Sequence, residues 1–370
     1  MREKRQTIKN TVYLALLLAM LLAGALLGIF LPGAEHSVPE RRRLASMPQL
    51  SAKSVEDGSF MRDYETYTQD HFPARETFRR IKALFCKDIL QQLQVNEIAV
   101  KGGTAVKLDY PLQPQSVQHA TERFSYLWQR YLCDSDCTVY TAVVPDKNYY
   151  AAPIYGYPQM EYARLFSMIE QQMPYAKRID LTDTLCLESY YRTDAHWRAD
   201  ALQGTAQRIA QAMGAQLALE ALAPRTLPEP FYGVYSGQTA LPLGNDALTV
   251  LDGAPIQSMR VYDLESDSYG TVYDESRRGG ADLYEYFLSG SRSFLRIEND
   301  AAQTDRELII FRDSFGSAIA PLLATGYRTV TLVDIRYLSP ALLGRYQSFS
   351  DQDVLFLYSA SVLNHSETLK

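Results

Sequence analysis

The chain has 370 residues, of which 46% are hydrophobic and 22% are charged, which is the composition of an ordinary globular protein. This length allows one large domain or two smaller ones with a sizeable buried core. The net charge of −6 at pH 7 argues against a general nucleic-acid-binding protein, because such proteins carry a basic surface.

The first 31 residues predict a membrane anchor. Residues 1–10 are rich in lysine and arginine, and residues 11–31 contain no charged side chain. As a helix, the run from Val12 to Leu31 is about 30 Å long, which matches the hydrocarbon core of a bilayer. The basic flank predicts a cytosolic N-terminus and an extracytoplasmic main domain. The alternative is a cleaved signal peptide, whose apolar region is usually shorter, about 7–15 residues.

Residues 32–95 predict a polar linker followed by a helical segment. The linker contains prolines and several charged residues, and apolar residues then recur at helical spacing. Pro73 interrupts this pattern, so we expect two helices, at about 57–70 and 74–93. The stretch "VNEIAVKGGTAVKL" predicts a short hairpin, and we expect the main domain to extend from residue 96 to residue 370.

The main domain alternates between strand patterns and helix patterns, which predicts an α/β fold with a parallel sheet and helices on both faces. Buried strands are predicted in "CTVYTAVV", "ELIIF", "TVTLVD" and "DVLFLY". Residues 222–300 differ from the rest, because they are rich in glycine, serine, aspartate and tyrosine and show short apolar alternations. This segment predicts a β-rich insertion.

The chain has four cysteines, two of which, Cys133 and Cys137, lie in the polar stretch "LCDSDCT". Export would permit a disulfide between them, and free thiols are the alternative. The five histidines are scattered and no second paired cysteine or histidine motif exists, so we expect neither a metal site nor a cofactor.

A serine follows directly after one predicted strand. The strand pattern "LIIF" ends in "RDSFG", and an apolar helix pattern begins at once, so Ser314 lies between a strand end and a helix start. Ligands bind at the carboxyl ends of parallel strands, and a helix N-terminus favours a developing oxyanion. Ser314 is therefore a candidate nucleophile. The alternative is a helix N-cap, for which serine and aspartate are preferred residues.

The stretch "YYRTDAHW", residues 190–197, contains an aspartate and a histidine two positions apart. In an extended loop, the side chains of Asp194 and His196 point to the same side, so the carboxylate can orient the imidazole. A buried structural histidine is one alternative, and a metal pair that lacks its third ligand is another. Two separate strand-end sites that supply serine, histidine and aspartate favour a catalytic triad of Ser314, His196 and Asp194.

These two motifs resemble a known family. "TDAHW" together with "RDSFG" is similar to the DHHW proteins and to the related AlgX/AlgJ-type O-acetyltransferases, which carry an SGNH-hydrolase-like domain. The family motif Thr-Asp-x-His-Trp matches residues 193–197, and its later Asp-Ser-Phe matches residues 313–315. The segments "ERRRLASMP", "VVPDKNYY" and "DVLFLYSAS" are also similar and occur in the same order. The resemblance covers essentially the whole chain after the predicted anchor.

The resemblance implies a role for each matching residue. Ser314 would be the nucleophile, His196 the base and Asp194 the acid that orients the base. Ala195 replaces the first histidine of Asp-His-His-Trp, while the histidine that the triad needs is retained. Arg312 stands where common SGNH enzymes have the glycine of Gly-Asp-Ser. No clear Gly-x-Asn-Asp block is present, so the resemblance does not identify which residue would be the asparagine oxyanion donor.

Four further residues are expected near the site because of their positions at predicted strand ends. Lys147 follows "VVPD" and is a candidate for binding an anionic glycan or acyl group, with an ordinary solvated lysine as the alternative. Arg336 and Tyr337 follow a later strand and are candidates for the pocket wall. Asn364 follows the last strand and is a candidate oxyanion donor.

The resemblance implies an extracytoplasmic O-acetyltransferase that uses an acyl-serine to modify a cell-surface or secreted polysaccharide. It also implies a membrane-bound O-acyltransferase partner, because the acetyl donor lies inside the cell. One alternative is an SGNH-type carbohydrate esterase, with water as the acceptor. Another is a non-catalytic protein of the same fold that binds glycans or takes part in their assembly. No nucleic-acid partner is expected.

Overall fold

The computed structural model describes residues 2–30 and 34–370 of the chain. The chain divides into two compact units. One unit ends at Val95 and includes Gly237–Pro242, and the other comprises Asn96–Ser236 and Leu243–Lys370. All seven candidate site residues named above belong to the second unit.

The described helices, in chain order, are α1 (Arg2–Phe30), α2 (Ala52–Glu56), α3 (Ser59–Asp70), α4 (Arg75–Leu84), α5 (Pro114–Leu127), α6 (Lys147–Tyr155), α7 (Tyr162–Gln172), α8 (Gln203–Met213), α9 (Val234–Thr239), α10 (Ala254–Gln257), α11 (Gly316–Ala324) and α12 (Ala360–Asn364). The strands are β1 (His36–Ser37), β2 (Arg42–Arg43), β3 (Gln94–Val95), β4 (Ile98–Lys101), β5 (Thr104–Lys107), β6 (Thr138–Val144), β7 (Lys177–Arg178), β8 (Ala223–Phe231), β9 (Asp246–Asp252), β10 (Arg260–Asp263), β11 (Ser268–Gly270), β12 (Phe294–Glu298), β13 (Glu307–Arg312), β14 (Thr329–Val333) and β15 (Asp353–Ser359).

The N-terminal segment is helical as α1. Within the described part of the chain, no helix is both long enough and apolar enough to cross a bilayer. The predicted anchor at 11–31 lies within α1 except for its last residue, which falls outside the described residues, as do the first two residues of the predicted linker.

The two predicted helices of the first unit are present as α3 and α4. Helix α3 begins at Ser59, whose N–H donates to the carboxylate of Asp57 at 2.9 Å. Helix α4 follows Ala74, which takes a left-handed conformation with φ of 56°. The predicted second helix extends to residue 93, whereas α4 ends at Leu84 and is prolonged by one π-helical turn, Phe85–Ile89.

The second unit is built on an eight-stranded mixed sheet with the order β11-β10-β12-β14-β13-β15-β6-β7. The strands from β14 to β7 pair parallel to one another. The predicted parallel sheet therefore accounts for five of the eight strands. The predicted hairpin is present as the antiparallel pair β4–β5.

The segment 222–300 is rich in β structure, as predicted, and part of it joins the main sheet. Strands β8 and β9 form a separate two-stranded ribbon, but β10, β11 and β12 extend the main sheet with antiparallel pairing. Strand β12 pairs with β14 and so satisfies the backbone groups that β14 would otherwise leave exposed at a sheet edge. A short alternating strand has the same sequence pattern in a separate ribbon and at the end of the main sheet, so the sequence could not distinguish these two arrangements.

Both faces of the sheet are covered by helices, as predicted. Leu308 and Ile310 of β13 belong to one core cluster, which also contains apolar residues of α8 and α11. Ile309 and Phe311 of the same strand belong to a second cluster, which contains apolar residues of α5 and α7. This alternation explains why β13 reads as a continuous apolar run, as strands buried on both faces do.

Candidate active site

Ser314 lies in the turn between β13 and α11, at the carboxyl end of a central strand. The preceding residue, Asp313, is buried and fixes this turn with both of its carboxylate oxygens. Oδ1 accepts the N–H of Phe315 at 3.0 Å, and Oδ2 accepts the N–H of Ser359, at the end of the neighbouring strand β15, at 2.8 Å. Asp313 is thus a structural residue, and Ser314 projects from a turn tied to two strand ends.

His196 and Asp194 lie in a tight loop closed by its flanking residues. The N–H of Tyr191 donates to the carbonyl of His196 at 3.1 Å, and the N–H of Arg198 donates to the carbonyl of Ser189 at 2.7 Å. Both oxygens of the Asp194 carboxylate accept hydrogen bonds. Oδ1 accepts the backbone N–H of His196 at 3.0 Å and its Nδ1 at 2.6 Å, and Oδ2 accepts the N–H of Val234 at 2.8 Å.

Thr193, the first residue of the motif, forms hydrogen bonds with Asp246 and Gly233. Its hydroxyl donates to Asp246 at 2.6 Å, and its N–H donates to the same carboxylate oxygen at 2.8 Å. The Thr193 hydroxyl also accepts the N–H of Gly233 at 2.9 Å. Thr193 therefore anchors the loop to the start of β9, and the backbone beyond Gly233 supplies the donor to Asp194.

The structure brings Ser314, His196 and Asp194 together in one chain of hydrogen bonds. His196 Nε2 lies 2.7 Å from Ser314 Oγ, and Nδ1 lies 2.6 Å from Asp194 Oδ1. The Asp194 side chain is fully buried, whereas the His196 side chain is 15% exposed. This order of hydroxyl, imidazole and buried carboxylate is the arrangement that activates a serine nucleophile.

Trp197 links the two turns of the site. Its indole Nε1 donates to the carbonyl of Phe315 at 3.1 Å, and its ring meets the Phe315 ring edge-on with centroids 5.3 Å apart. Trp197 is completely buried. The tryptophan of the motif thus links two segments of the site. It holds the loop that carries Asp194 and His196, here called the histidine loop, against the turn that carries Ser314, here called the serine turn.

The imidazole of His196 is enclosed by two aromatic rings. The ring of Tyr284 lies parallel to it, with centroids 3.9 Å apart and an interplanar angle of 13°. The ring of Phe315 lies 5.0 Å away at 49°. Sequence reasoning missed Tyr284, because it lies in the segment 222–300 and carries no motif that relates it to His196.

The Lys147 side chain is buried and bonded to backbone carbonyls. It is 2% exposed, and its ammonium donates to the carbonyls of Ala105 at 2.7 Å, Asp194 at 2.6 Å and Arg192 at 3.4 Å. Burial lowers the pKa of Lys147 to about 7, against the opposing effect of the nearby Asp194 and Asp246 carboxylates. The lysine therefore holds the histidine loop from behind, which corrects the expectation of a glycan or acyl contact.

Asn364 and Arg336 are engaged in structural contacts. The Asn364 side chain is buried, accepts the N–H of Gln113 at 2.6 Å and donates to Asp109 at 3.0 Å. Arg336 pairs with the buried Asp334, with Nη2 and Oδ2 2.6 Å apart. Neither side chain is hydrogen-bonded to the serine, histidine or aspartate of the described site. Tyr337 is 51% exposed and remains available to a ligand.

Arg312 is almost completely buried beside the serine turn, with 1% exposure. Its Nη1 donates to the carbonyl of Asp313 at 3.3 Å, while Nε and Nη2 have no hydrogen-bond partner among residues 2–30 and 34–370. Burial lowers the pKa of Arg312, and the Asp334 and Asp313 carboxylates oppose this effect. A Cβ at Gly316 would lie 2.7 Å from the Arg312 side chain, so this glycine makes room for the arginine.

Two further expectations concern cysteines and metals. Cys133 and Cys137 are free thiols, and the Sγ of Cys133 donates to the carbonyl of Gln129 at 3.1 Å. In the part of the chain that the structure describes, no three histidine, cysteine, aspartate or glutamate side chains form a group able to hold a metal ion.

Comparison with known proteins supports the fold. No family model matches the sequence, and no curated protein matches it. Among solved structures, a DHHW family protein from Eubacterium siraeum is similar, with a TM-score of 0.58 and 18% identity over 75% of this chain and 95% of that chain. The chain shares the fold of a DHHW family protein. This similarity confirms the resemblance indicated by the motifs.

A second solved structure is similar to the same extent. It is PatB1 from Bacillus cereus with a sulfonyl adduct, with a TM-score of 0.57 and 19% identity over 72% of this chain and 95% of that chain. PatB1 without the adduct gives a TM-score of 0.56. At these identities the comparisons establish a common fold.

Proposed function

We propose that the protein is a serine-dependent O-acetyltransferase that modifies a polysaccharide outside the cytoplasm. The observation that carries this proposal is the hydrogen-bond chain from Ser314 Oγ through His196 to the buried Asp194, with distances of 2.7 and 2.6 Å. The order of the Thr-Asp-x-His-Trp and Asp-Ser-Phe motifs, which resembles that of O-acetyltransferases, supports acetyl transfer as the reaction.

In the first half of the reaction, Ser314 Oγ attacks the carbonyl carbon of an acetyl donor while His196 Nε2 takes the hydroxyl proton. The Asp194 carboxylate stabilises the resulting imidazolium through Nδ1. The backbone N–H of Ser314 and the N-terminal end of α11 favour the negative charge on the carbonyl oxygen. His196 then returns its proton to the leaving group, and the acetyl group remains on Ser314 as an ester.

In the second half, a sugar hydroxyl attacks the acetyl-serine. His196 removes the proton from this hydroxyl as the new carbon–oxygen bond forms, and it returns a proton to Ser314 Oγ as the old ester bond breaks. The acetyl group has then moved to the glycan and the enzyme is restored. Among the residues that the structure describes, an acceptor can reach the half-exposed Tyr337 and the partly exposed His196.

The proposed location follows from the N-terminal segment. A basic flank followed by an uncharged run supports a single-pass anchor with a cytosolic N-terminus and an extracytoplasmic main domain. Because acetyl donors are produced inside the cell, this location requires a membrane-bound O-acyltransferase partner that passes the acetyl group outward. The proposal therefore includes both a polysaccharide acceptor and this membrane-bound partner.

The experiment compares the wild-type protein with Ser314→Ala on an activated acetyl ester. We expect acetate release by the wild type and background release by Ser314→Ala. Ser317→Ala is the matched control, because Ser317 is a buried serine in the adjoining helix α11. An arylsulfonyl fluoride should modify Ser314, and peptide mass spectrometry locates the adduct. Equal acetate release by the wild type and Ser314→Ala would refute the proposal.

A second measurement separates transfer from hydrolysis. Adding a glycan acceptor should divert acetyl groups from acetate to the glycan and leave total turnover unchanged or higher. Release of acetate alone, whatever the acceptor concentration, supports the esterase alternative. Glycan binding without any turnover, and unchanged in Ser314→Ala, supports a non-catalytic binding protein.

A further inference from the structure

We propose that Tyr284 is a positioning residue that holds the imidazole of His196 by face-to-face stacking and favours its protonated form during acyl transfer. The two rings lie 3.9 Å apart between centroids with an interplanar angle of 13°. This inference rests on the proposed function, because it assigns Tyr284 a role in the step in which His196 acts as base.

The hydrogen bonds of His196 restrain one motion of its ring only weakly. The bonds to Asp194 Oδ1 and Ser314 Oγ lie at the two ring nitrogens, so they fix the ring along one axis. They resist tipping about that axis only weakly, because such a rotation barely changes either distance. A flat ring packed against one face removes this freedom, and the tilted ring of Phe315, 5.0 Å away, gives additional support.

Tyr284 is itself held rigidly. Its side chain is buried, and its backbone N–H donates to the carboxylate of Asp282 at 2.9 Å, which caps the short turn Leu283–Tyr286. The ring of Phe287 supports the phenol ring at 5.1 Å. A fixed ring is what a positioning role requires, since a mobile ring would not restrain its neighbour.

The ring of Tyr284, and not its hydroxyl, makes the contact with His196. The phenol Oη has no hydrogen-bond partner within the described ranges of the chain. The face of a phenol ring is electron-rich and attracts a cation that lies within about 6 Å of its centroid. Because His196 becomes an imidazolium as Ser314 attacks, this attraction is stronger in the transition state than in the resting enzyme.

Other charged groups also act on this pair of rings. The carboxylates of Asp194, Asp313 and Asp282 and the guanidinium of Arg312 all interact with Tyr284. All four of these charged side chains are still present when Tyr284 alone is replaced. A comparison of Tyr284 variants therefore reports on the ring and not on the surrounding charges.

The test uses the full chain with Tyr284→Leu and Tyr284→Phe, assayed with an activated acetyl ester. Tyr284→Leu should lower kcat roughly tenfold, the order expected for losing a buried cation–π contact, with KM changed less than twofold. Tyr284→Phe keeps the ring face, so its kcat should stay within twofold of the wild type. In NMR spectra of histidine-labelled protein, the His196 ring protons should move downfield in Tyr284→Leu and stay in place in Tyr284→Phe.

Tyr286→Leu is the matched control. Tyr286 is buried in the same turn, but its ring stacks on Tyr273, with centroids 5.5 Å apart, and not on His196. This variant should lose thermal stability while its kcat and the His196 ring signals stay unchanged. An equal fall in kcat for Tyr286→Leu would show that the effect is one of folding, and would overturn the positioning role.

Two other results would also overturn the inference. One is an unchanged kcat in Tyr284→Leu although the His196 signals have moved, because the stacking would then exist without a catalytic effect. The other is an equal loss in Tyr284→Phe and Tyr284→Leu, because the hydroxyl would then be responsible. Wild-type turnover in Ser314→Ala, measured in parallel, would instead refute the proposed function on which the inference depends.

Discussion

At the scale of single residues, the hydrogen bonds of the Asp194 carboxylate explain why this side chain should be sensitive to substitution. Both of its oxygens accept hydrogen bonds, from the imidazole and the backbone of His196 and from the N–H of Val234. The carboxylate is buried, and each of the donors is fixed by the loop around it. Such a residue tolerates no change in the pattern of donors and acceptors.

Asp194→Asn should therefore lower kcat by roughly 10³–10⁴-fold, as expected when the base is held in the wrong tautomer. The amide has one donor group where the carboxylate has only acceptors, so it disturbs either the Val234 contact or the Nδ1 contact. Steady-state kinetics with an acetyl ester measure this. Asp200→Asn, which alters a nearby aspartate paired with Arg198, should retain its kcat. A kcat of Asp194→Asn within tenfold of the wild type would contradict the assigned role.

Lys147 leads to a prediction about pH. Burial lowers its pKa to about 7, whereas in the unfolded chain the value is about 10.5. Between these values the unfolded chain binds more protons than the native protein, so raising the pH favours the native state. From pH 7 to pH 9 the free energy of unfolding should gain up to about 2–3 kcal/mol from this residue, at about 1.4 kcal/mol per pH unit.

Lys147→Met removes this titration. Urea unfolding at pH 7, 8 and 9 should show that the wild type gains stability relative to Lys147→Met as the pH rises. Lys107→Met is a control, because this lysine lies on a neighbouring hairpin with a 37% exposed side chain and should show no such trend. A constant difference between the wild type and Lys147→Met across these pH values would show that Lys147 does not titrate there.

At the scale of elements, the histidine loop depends on a close approach of two backbone segments. A Cβ added at Gly233 would lie 2.2 Å from the carbonyl oxygen of Thr193 and 2.5 Å from the nitrogen of Asp194. These are backbone atoms of the loop, so they cannot move aside without moving Asp194. The segment after β8 thus sets the position of the loop that carries the acid and the base.

Gly233→Ala should therefore lower both stability and kcat. Overpacking of this kind costs about 1–3 kcal/mol, and the displaced Asp194 loses its alignment with His196. Gly204→Ala is the matched control, because nothing lies within 4 Å of a Cβ there and alanine favours the helix α8 by at most about 1 kcal/mol. Denaturant unfolding and ester turnover measure both effects. Unchanged kcat in a folded Gly233→Ala protein would contradict this account of the loop.

The strands also show which structural features the sequence pattern predicts and which it does not. The apolar runs of β6, β13, β14 and β15 are buried on both faces, and each was predicted as a buried strand. For β10, β11 and β12 the sequence predicts β structure within an insertion, and the structure adds that these strands extend the main sheet. Their short alternating pattern records which side chains are buried, but it does not record which strand lies beside them.

At the scale of the whole molecule, all three residues of the proposed triad lie in the second unit of the chain. Residues 11–30 of the proposed anchor lie in α1, which belongs to the first unit. Catalysis and membrane attachment are therefore expected to be separable. The two properties can be measured independently on one pair of proteins.

Deleting residues 1–31 should leave the kcat for an acetyl ester unchanged and move the protein from the membrane fraction to the soluble fraction. Cell fractionation and intact mass measure the location and the N-terminus. Replacing only the lysines and arginines of residues 1–10 is a control that keeps the apolar run. If the full-length gene is expressed and its product is soluble and lacks its first residues, this result would contradict the anchor and support a cleaved signal peptide.

By itself, the sequence determined the α/β alternation, the strand ends and the residue types at those ends, including Ser314, His196 and Asp194. These features follow from burial and backbone hydrogen bonding over short stretches, which apolar periodicity and local motifs record. Only the tertiary structure decided that a serine and a histidine 118 positions apart lie 2.7 Å from each other. It also decided that Lys147 and Asn364 point into the protein and that Tyr284 lies against the imidazole. Such contacts depend on strand order and on loop packing between distant segments, and no local pattern encodes them.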